Sequence, residues 1–229
     1  MSENNKNILD LQQLNKSYLQ GDRCIEVLKG INLKFYKGKW YTLYGSSGSG
    51  KTTLLNIIGG IEKPDSGKIL YGNDDIYSMK DAALSWWRNF KIGFVFQFFN
   101  LIPELTVEKN INLPLYINNI KPDKTWFDNI VDILQVRELL DRKPSTLSGG
   151  EKQRIAMARA VINKPDFLLA DEPTGNLDSD NSKGVIDLMK QLQTESDVGI
   201  ILATHERELI DSGICRLHLE DGYIVSDSV

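Results

Sequence analysis

Two stretches of this sequence could each hold a phosphate. Gly45-Ser46-Ser47-Gly48-Ser49-Gly50-Lys51-Thr52 fits the pattern G-x-x-x-x-G-K-[ST] and lies between a predicted strand and a predicted helix. Its glycines let backbone N–H groups wrap phosphate oxygens, Lys51 sets a cation at the β- and γ-phosphates, and the Thr52 hydroxyl can bind Mg²⁺. Thr53 follows in the first turn of the same helix. Much later in the chain, Leu147-Ser148-Gly149-Gly150-Glu151 offers a second site. Ser148 and Glu151 fit the S-x-x-E capping box, with a helix over 151–161 following. Such a helix start carries free N–H groups and the positive end of its dipole, which suits an anion. Gly149 and Gly150 remove side chains where a phosphate would come close. One nucleotide site has no obvious need of two phosphate-binding helix starts.

A third stretch supplies acids. The apolar strand 167–170 runs straight into Asp171 and Glu172, at the strand end where an open α/β sheet exposes its ligand sites. Asp171 is placed to hold Mg²⁺ through water, because Mg²⁺ sheds its waters reluctantly. Glu172 leaves the strand in another direction, where it can orient and deprotonate an attacking water. Pro173 biases Glu172 toward an extended backbone.

The elements that must position these residues follow from periodicity. β-rich runs cover 8–14, 31–36 and 40–44, with a turn at Lys37-Gly38. A helix over 51–58 follows the first glycine loop, and 68–71 and 92–96 read as strands, the latter fully buried. From 106 to 163 the sequence is mostly helical, over 107–117, 124–134 and the helix after Ser148, with Pro103, Pro114, Pro122 and Pro144 as punctuation. Strands return at 167–170 and 200–203. Between them Val185, Met189 and Leu192 form a helix face that packs on a sheet. Strands alternating with helices imply an α/β fold with a mostly parallel sheet. We expect one domain of two lobes, an α/β core from about 1–85 and 164–229 and an inserted α-helical lobe at about 86–163.

Bulk properties narrow the function. Hydrophobic residues make up 41% and charged residues 25% of 229, ordinary for a soluble globular chain. A net charge of −4 and pI near 5.3 argue against a nucleic-acid partner. No apolar run approaches the roughly 20 residues that span a bilayer. Met1 to Lys6 is polar, so no secretory leader is visible. Cys24 and Cys215 fit neither a metal pattern nor a disulfide framework, and a reducing cytosol is expected.

The phosphate loop, Leu-Ser-Gly-Gly-Glu and the Asp-Glu strand together resemble the ATPase subunit of an ABC transporter, from about Ile8 to Val225. The resemblance implies a P-loop NTPase fold with an N-terminal antiparallel β part. It implies that Tyr18 stacks on adenine, although an ordinary strand tyrosine reads the same way. Gln97 resembles the glutamine that touches Mg²⁺ and senses a membrane partner. Asn176-Leu177-Asp178 resembles the D-loop, with Asp178 communicating across a dimer, and His205 resembles the switch histidine near the γ-phosphate. His218 has no such context and reads as structural.

Gly93 to Pro103, Asn112-Leu113-Pro114-Leu115 and Ala170 to Asp178 are similar to the branch that includes MacB, LolD, the bacitracin-resistance exporters and FtsE. Trp86-Trp87 is a departure, read as core or as a partner contact, with core favoured. The resemblance further implies a head-to-tail homodimer, with Ser148, Gly149, Gly150 and Glu151 of one chain closing on ATP and Mg²⁺ held by the other. It implies a separate FtsX/MacB-like permease, a peripheral place on the cytoplasmic face of the membrane, and export of a drug, antimicrobial peptide or lipoprotein. An FtsE-like ATPase that signals through a membrane partner is the alternative. The partner's short cytoplasmic helix is expected beside 97–110, where Phe94, Phe96, Phe98 and Phe99 cluster. Some of those aromatics must be core, since all exposed they would form a sticky patch. A soluble ABC protein would need tandem cassettes or a coiled-coil insertion, and a P-loop kinase would leave Ser148 and His205 unexplained.

Overall fold

The computed structural model describes residues 8–206 and 215–228, and Met1 to Lys6, read above as lacking a leader, lies outside them. The strands are β1 (Ile8–Gln20), β2 (Arg23–Tyr36), β3 (Trp40–Tyr44), β4 (Ser66–Tyr71), β5 (Asp74–Asp75), β6 (Ile92–Val95), β7 (Phe167–Asp171), β8 (Gly199–Thr204), β9 (Cys215–Glu220) and β10 (Tyr223–Ser228). The helices are α1 (Lys51–Ile58), α2 (Asp81–Lys91), α3 (Val107–Ile117), α4 (Lys124–Ile133), α5 (Gly149–Val161) and α6 (Ser179–Ser196). They fall into two compact units, Met1–Arg88 with Gly199–Val229, and Asn89–Val198.

In the first unit β1 pairs antiparallel with both β2 and β4. The hairpin is longer than 8–14 and 31–36 suggest. Its inner half buries Leu9, Leu11, Leu14, Leu28, Ile31 and Phe35, whereas its outer half is mostly exposed, Tyr18, Leu19 and Ile25 included. Backbone pairing alone carries the strands out to the turn at Gly21, which takes φ 61°. Beside this sheet, β3 lies parallel to β8 on one side and β9 on the other, and β10 closes the edge antiparallel. Every residue of β8 is buried, the mark of a strand covered on both faces.

Helix α2 was missed although Ala83, Trp87 and Phe90 recur at i, i+4 and i+7; of these only Trp87 is fully buried. The tryptophan pair divides: Trp87 is 3% exposed and Trp86 55%. The favoured core reading therefore holds for Trp87 and fails for Trp86. Neighbours on a helix point roughly 100° apart, so one face cannot bury both.

In the second unit β6 and β7 run parallel in the register Val95↔Ala170. An ion pair between Lys91 and Asp166 at 2.9 Å joins their entries. A Cβ on Gly93 would lie 2.4 Å from the Ala160 carbonyl oxygen, so this strand glycine lets α5 rest directly on β6. Helix α3 also packs on α5 and runs through Pro114 without ending. Val185, Met189 and Leu192 are buried as their spacing requires.

Candidate functional site

The first unit builds the phosphate loop. Tyr44, the last residue of β3, sits opposite Thr204 of β8. The loop from Gly45 and the exposed His205 thus leave neighbouring parallel strands at the same end. Gly48 at φ 80° and Gly50 at φ 106° turn the loop into α1, whose start has no side-chain cap. Its first N–H groups are therefore open to an anion. Lys51 is 5% exposed, and its ammonium donates to the carbonyls of Gly45 at 2.9 Å and Ser46 at 3.0 Å. Two of three N–H groups are thereby used to hold the cation over the loop.

Not every loop residue faces a ligand. A Cβ on Gly45 would lie 2.1 Å from the Leu219 carbonyl oxygen, so this glycine admits β9. Ser49 Oγ is buried without a partner among the described residues, and the Ser49 N–H donates to the Ser46 carbonyl at 3.2 Å, closing the loop on itself. Thr52 is exposed and Thr53 half-buried. Tyr18 is brought to α1, with its hydroxyl among the groups that feel Thr53. That hydroxyl donates to the Glu62 carboxylate at 2.7 Å, and Lys16 Nζ lies 5.3 Å from the ring centre. Burial first, then the bond to Glu62, raises the Tyr18 pKa. His218 stacks on Tyr44 at 4.7 Å, a contact within the sheet.

The second unit gathers the other residues. Ser148 Oγ accepts from Glu151 N at 3.3 Å, and Ser148 N donates to the Glu151 carboxylate at 2.7 Å, completing the capping box. The Ser148 N–H first, and then the Ser148 side chain, bond the Glu151 carboxylate and hold its pKa below the usual value. The box leaves the N–H groups of Gly149 and Gly150 without a partner among the described residues, while the Ser148 hydroxyl bonds the Glu151 carboxylate. The two glycines also have a packing reason. A Cβ on Gly150 would meet Asn181 Oδ1 at 2.7 Å, and one on Gly149 would meet Leu177 at 3.2 Å. Asp178 caps α6, accepting from Asn181 N at 2.9 Å and from the Asn181 side-chain amide.

Gln97 lies beyond the end of β6, and Asp171 and Glu172 at and just beyond the end of β7, all three half-buried. The Asn176 amide donates to the Gln97 carbonyl at 2.8 Å. One correction concerns Glu172. Its φ is 45°, in the left-handed region, not the extended backbone that Pro173 favours. The tight turn that follows, where Gly175 N donates to the Glu172 carbonyl at 3.1 Å, overrides the local preference. Strained backbone of this kind concentrates at functional sites.

Sequence reasoning missed Asn181, which a D-x-x-N cap spacing could have signalled. It also missed Arg159, for which no local pattern exists. Its guanidinium donates to the carbonyls of Phe99 at 2.8 Å and Asn100 at 2.6 Å, both left-handed residues. The aromatic run is divided as expected: Phe94 and Phe96 stack at 4.2 Å and are half-buried, whereas Phe98 is 72% exposed.

Comparison with known proteins agrees with this layout. The family model described as ABC transporter matches residues 28–175. The lipoprotein-releasing system ATP-binding protein LolD of Geobacter metallireducens is 40% identical over 222 residues, covering 96% of this chain and 99% of that one. LolD 2 of Chlorobium chlorochromatii is 43% identical over 206 residues, 86% of each chain. A dimeric ATP-binding cassette solved in a post-hydrolysis state with ADP and Pi superimposes with a TM-score of 0.87 at 35% identity, covering 96% of this chain and 97% of that one.

Proposed function

The chain belongs to the ABC transporter family, and from that premise we propose that it is the ATP-hydrolysing subunit of a LolD-type export complex. It acts as a head-to-tail pair. The observation that carries this reading is the start of α5, where Gly149 and Gly150 present two N–H groups without a partner among the described residues, yet the unit has no phosphate loop of its own. A second chain holding a nucleotide on Lys51 supplies the missing anion.

The roles follow from chemistry. The loop 45–50 and the first turn of α1 bind the phosphates through backbone N–H groups, and Lys51 adds charge. Tyr18 offers its ring to the base. Thr52, Gln97 and Asp171 each offer an oxygen, of a hydroxyl, an amide and a carboxylate, the donor type that suits a hard cation. Mg²⁺, when bound, supplies charge neutralisation at the phosphate oxygens. Glu172 accepts the proton of the attacking water, and His205 donates toward the γ-phosphate. Asp178, fixed as a helix cap, faces the partner chain. Loss of the γ-phosphate removes charge-assisted bonds on which the closed pair depends, so hydrolysis opens it.

No helix among the described residues is long and apolar enough to cross a membrane. We place the chain peripherally at the cytoplasmic face, delivering force to a separate FtsX/MacB-type permease that docks beside 97–110. The inserted helical lobe of 86–163 is the part that meets this permease.

Mixing chains tests the trans arrangement. A Ser148→Arg chain paired with a Lys51→Met chain keeps one intact composite site, so ATP-driven association, read by size-exclusion chromatography, is retained in part. If every mixed pair behaves like the double variant, the arrangement is wrong.

A further inference from the structure

Tyr18 stands in the outer, exposed half of the β1–β2 hairpin. Its cross-strand neighbour is Ile25, 42% exposed, and Leu19 beside it is 82% exposed. The Tyr18 ring is itself 39% exposed, so packing does not fix its direction. Its hydroxyl is held instead. Both oxygens of the Glu62 carboxylate lie 2.7 Å from it. The side chain of Thr53, two residues past Lys51 in α1, bonds the same hydroxyl. Glu62 follows soon after the end of α1, so both ties come from the helix that the phosphate loop starts.

The turn that carries Glu62 is locked to that helix. Ile61 N and Glu62 N both donate to the Asn56 carbonyl, at 2.9 and 3.2 Å. The Tyr77 hydroxyl bridges the carbonyls of Ile57 and Glu62, and Arg88 Nη1 donates to the Gly60 carbonyl at 3.0 Å. The strand is stitched to the same turn. Lys16 Nζ pairs with the Glu62 carboxylate at 3.1 Å and donates to the Lys63 carbonyl at 2.9 Å, while Ser17 N donates to the Asp65 carboxylate at 2.7 Å. Lys16 Nζ also stands over the Tyr18 ring, 5.3 Å from its centre, which occupies one face and leaves the other to a flat ligand. A tyrosine anchored at its hydroxyl and open at its ring is a platform set before the ligand arrives. We propose that Glu62 is a positioning residue for the nucleobase, holding the Tyr18 ring at a fixed place relative to the phosphate loop. It acts through the tyrosine and not on the nucleotide. The base and the phosphates of one nucleotide then meet sites borne on a single element, α1 and the turn that ends it. This rests on the reading of Tyr18 as the base contact.

The test compares ATP with inorganic triphosphate, which has no base, by titration calorimetry of the full chain with Mg²⁺. Tyr18→Ala should weaken ATP by roughly 5- to 150-fold, the worth of a base–aromatic stack, and leave triphosphate unchanged. Glu62→Ala and Tyr18→Phe should each weaken ATP by at least about threefold, the cost of ordering a released side chain on binding, again with triphosphate unchanged. Retained triphosphate binding also shows that each variant folds. Glu62→Gln can still bond the hydroxyl through its amide, as donor or acceptor, and should bind ATP within about threefold of the parent. Placed in the Tyr18→Ala chain, Glu62→Ala should add no further loss, because it acts through that ring. Parental ATP affinity in Glu62→Ala or Tyr18→Phe, an equal loss for triphosphate, Glu62→Gln as weak as Glu62→Ala, or a full added loss in the double variant overturns the proposal and leaves the stacking reading standing. If Tyr18→Ala itself binds ATP at parental strength, the base contact lies elsewhere and both fall.

Discussion

Replacing Lys51 by Met separates nucleotide binding from fold stability. The two side chains have similar length, so the swap removes charge and donors while filling the same space. In the structure the Lys51 ammonium spends two N–H groups on the Gly45 and Ser46 carbonyls and keeps one for an incoming phosphate. Losing one charge-assisted bond costs about 1.5–3 kcal/mol, a roughly 10- to 160-fold rise in Kd. Without nucleotide the terms oppose each other. Met forfeits two bonds to carbonyls but also removes a cation from a site that is 5% exposed. The net change should stay within about 1 kcal/mol, a Tm shift of roughly 2–4 °C for a domain of this size. Titration calorimetry with ATP reads the first quantity and a thermal melt of the nucleotide-free chain the second. Binding within about threefold of the parent, under 0.7 kcal/mol, would refute the assignment of Lys51 to the phosphate. A Tm loss beyond about 10 °C, well over 2 kcal/mol, would show instead that the ammonium is a strut of the loop.

Glu172→Gln should keep ATP-driven pairing and lower turnover by about 10²- to 10⁴-fold, the usual worth of a general base, and an unchanged rate of phosphate release sinks that role. Gly45→Ala drives a methyl into the backbone oxygen of Leu219 and should cost about 3 kcal/mol in urea unfolding, at the upper end for overpacking; a neutral result would mean β9 can withdraw. Ser148→Ala should cost about 1 kcal/mol through the lost cap. The folded-state pKa of Glu151 lies below its unfolded value, so its contribution is complete above the unfolded value and disappears as pH falls through the folded one. Glu151→Gln should flatten that part of the stability profile, and an unchanged acid limb would remove the carboxylate from it.

Motifs anchored by backbone geometry were legible in the sequence. The loop 45–52 needs glycines in left-handed turns, and the Ser148 cap needs an acid three residues on, so both announce themselves locally. What stayed hidden depends on distant neighbours. Gly45 reads as a phosphate contact until Leu219 is seen against it, and Gly150 does so until Asn181 appears. Glu172 reads as extended because only Pro173 is adjacent, whereas the turn to Gly175 decides its φ. Arg159 has no signature, since its partners are main-chain carbonyls contributed by residues whose own conformation is unusual. The outer halves of β1 and β2 were missed because Tyr18, Leu19, Ile25 and Val27 make too short an apolar pattern among exposed polar residues.

The Asn176 amide bonded to the Gln97 carbonyl joins that segment to the one whose Leu177 and Asn181 lie against Gly149 and Gly150 at the start of α5. On the proposed reading, a permease that held Gln97 in one position would also set how well the α5 start is formed for a nucleotide on the other chain. Thermodynamics makes such a link symmetrical. Whatever factor the permease adds to sandwich closure, closure must add to permease affinity, and a coupling of about 1–3 kcal/mol would make the complex grip its membrane partner roughly 5- to 150-fold harder before hydrolysis than after.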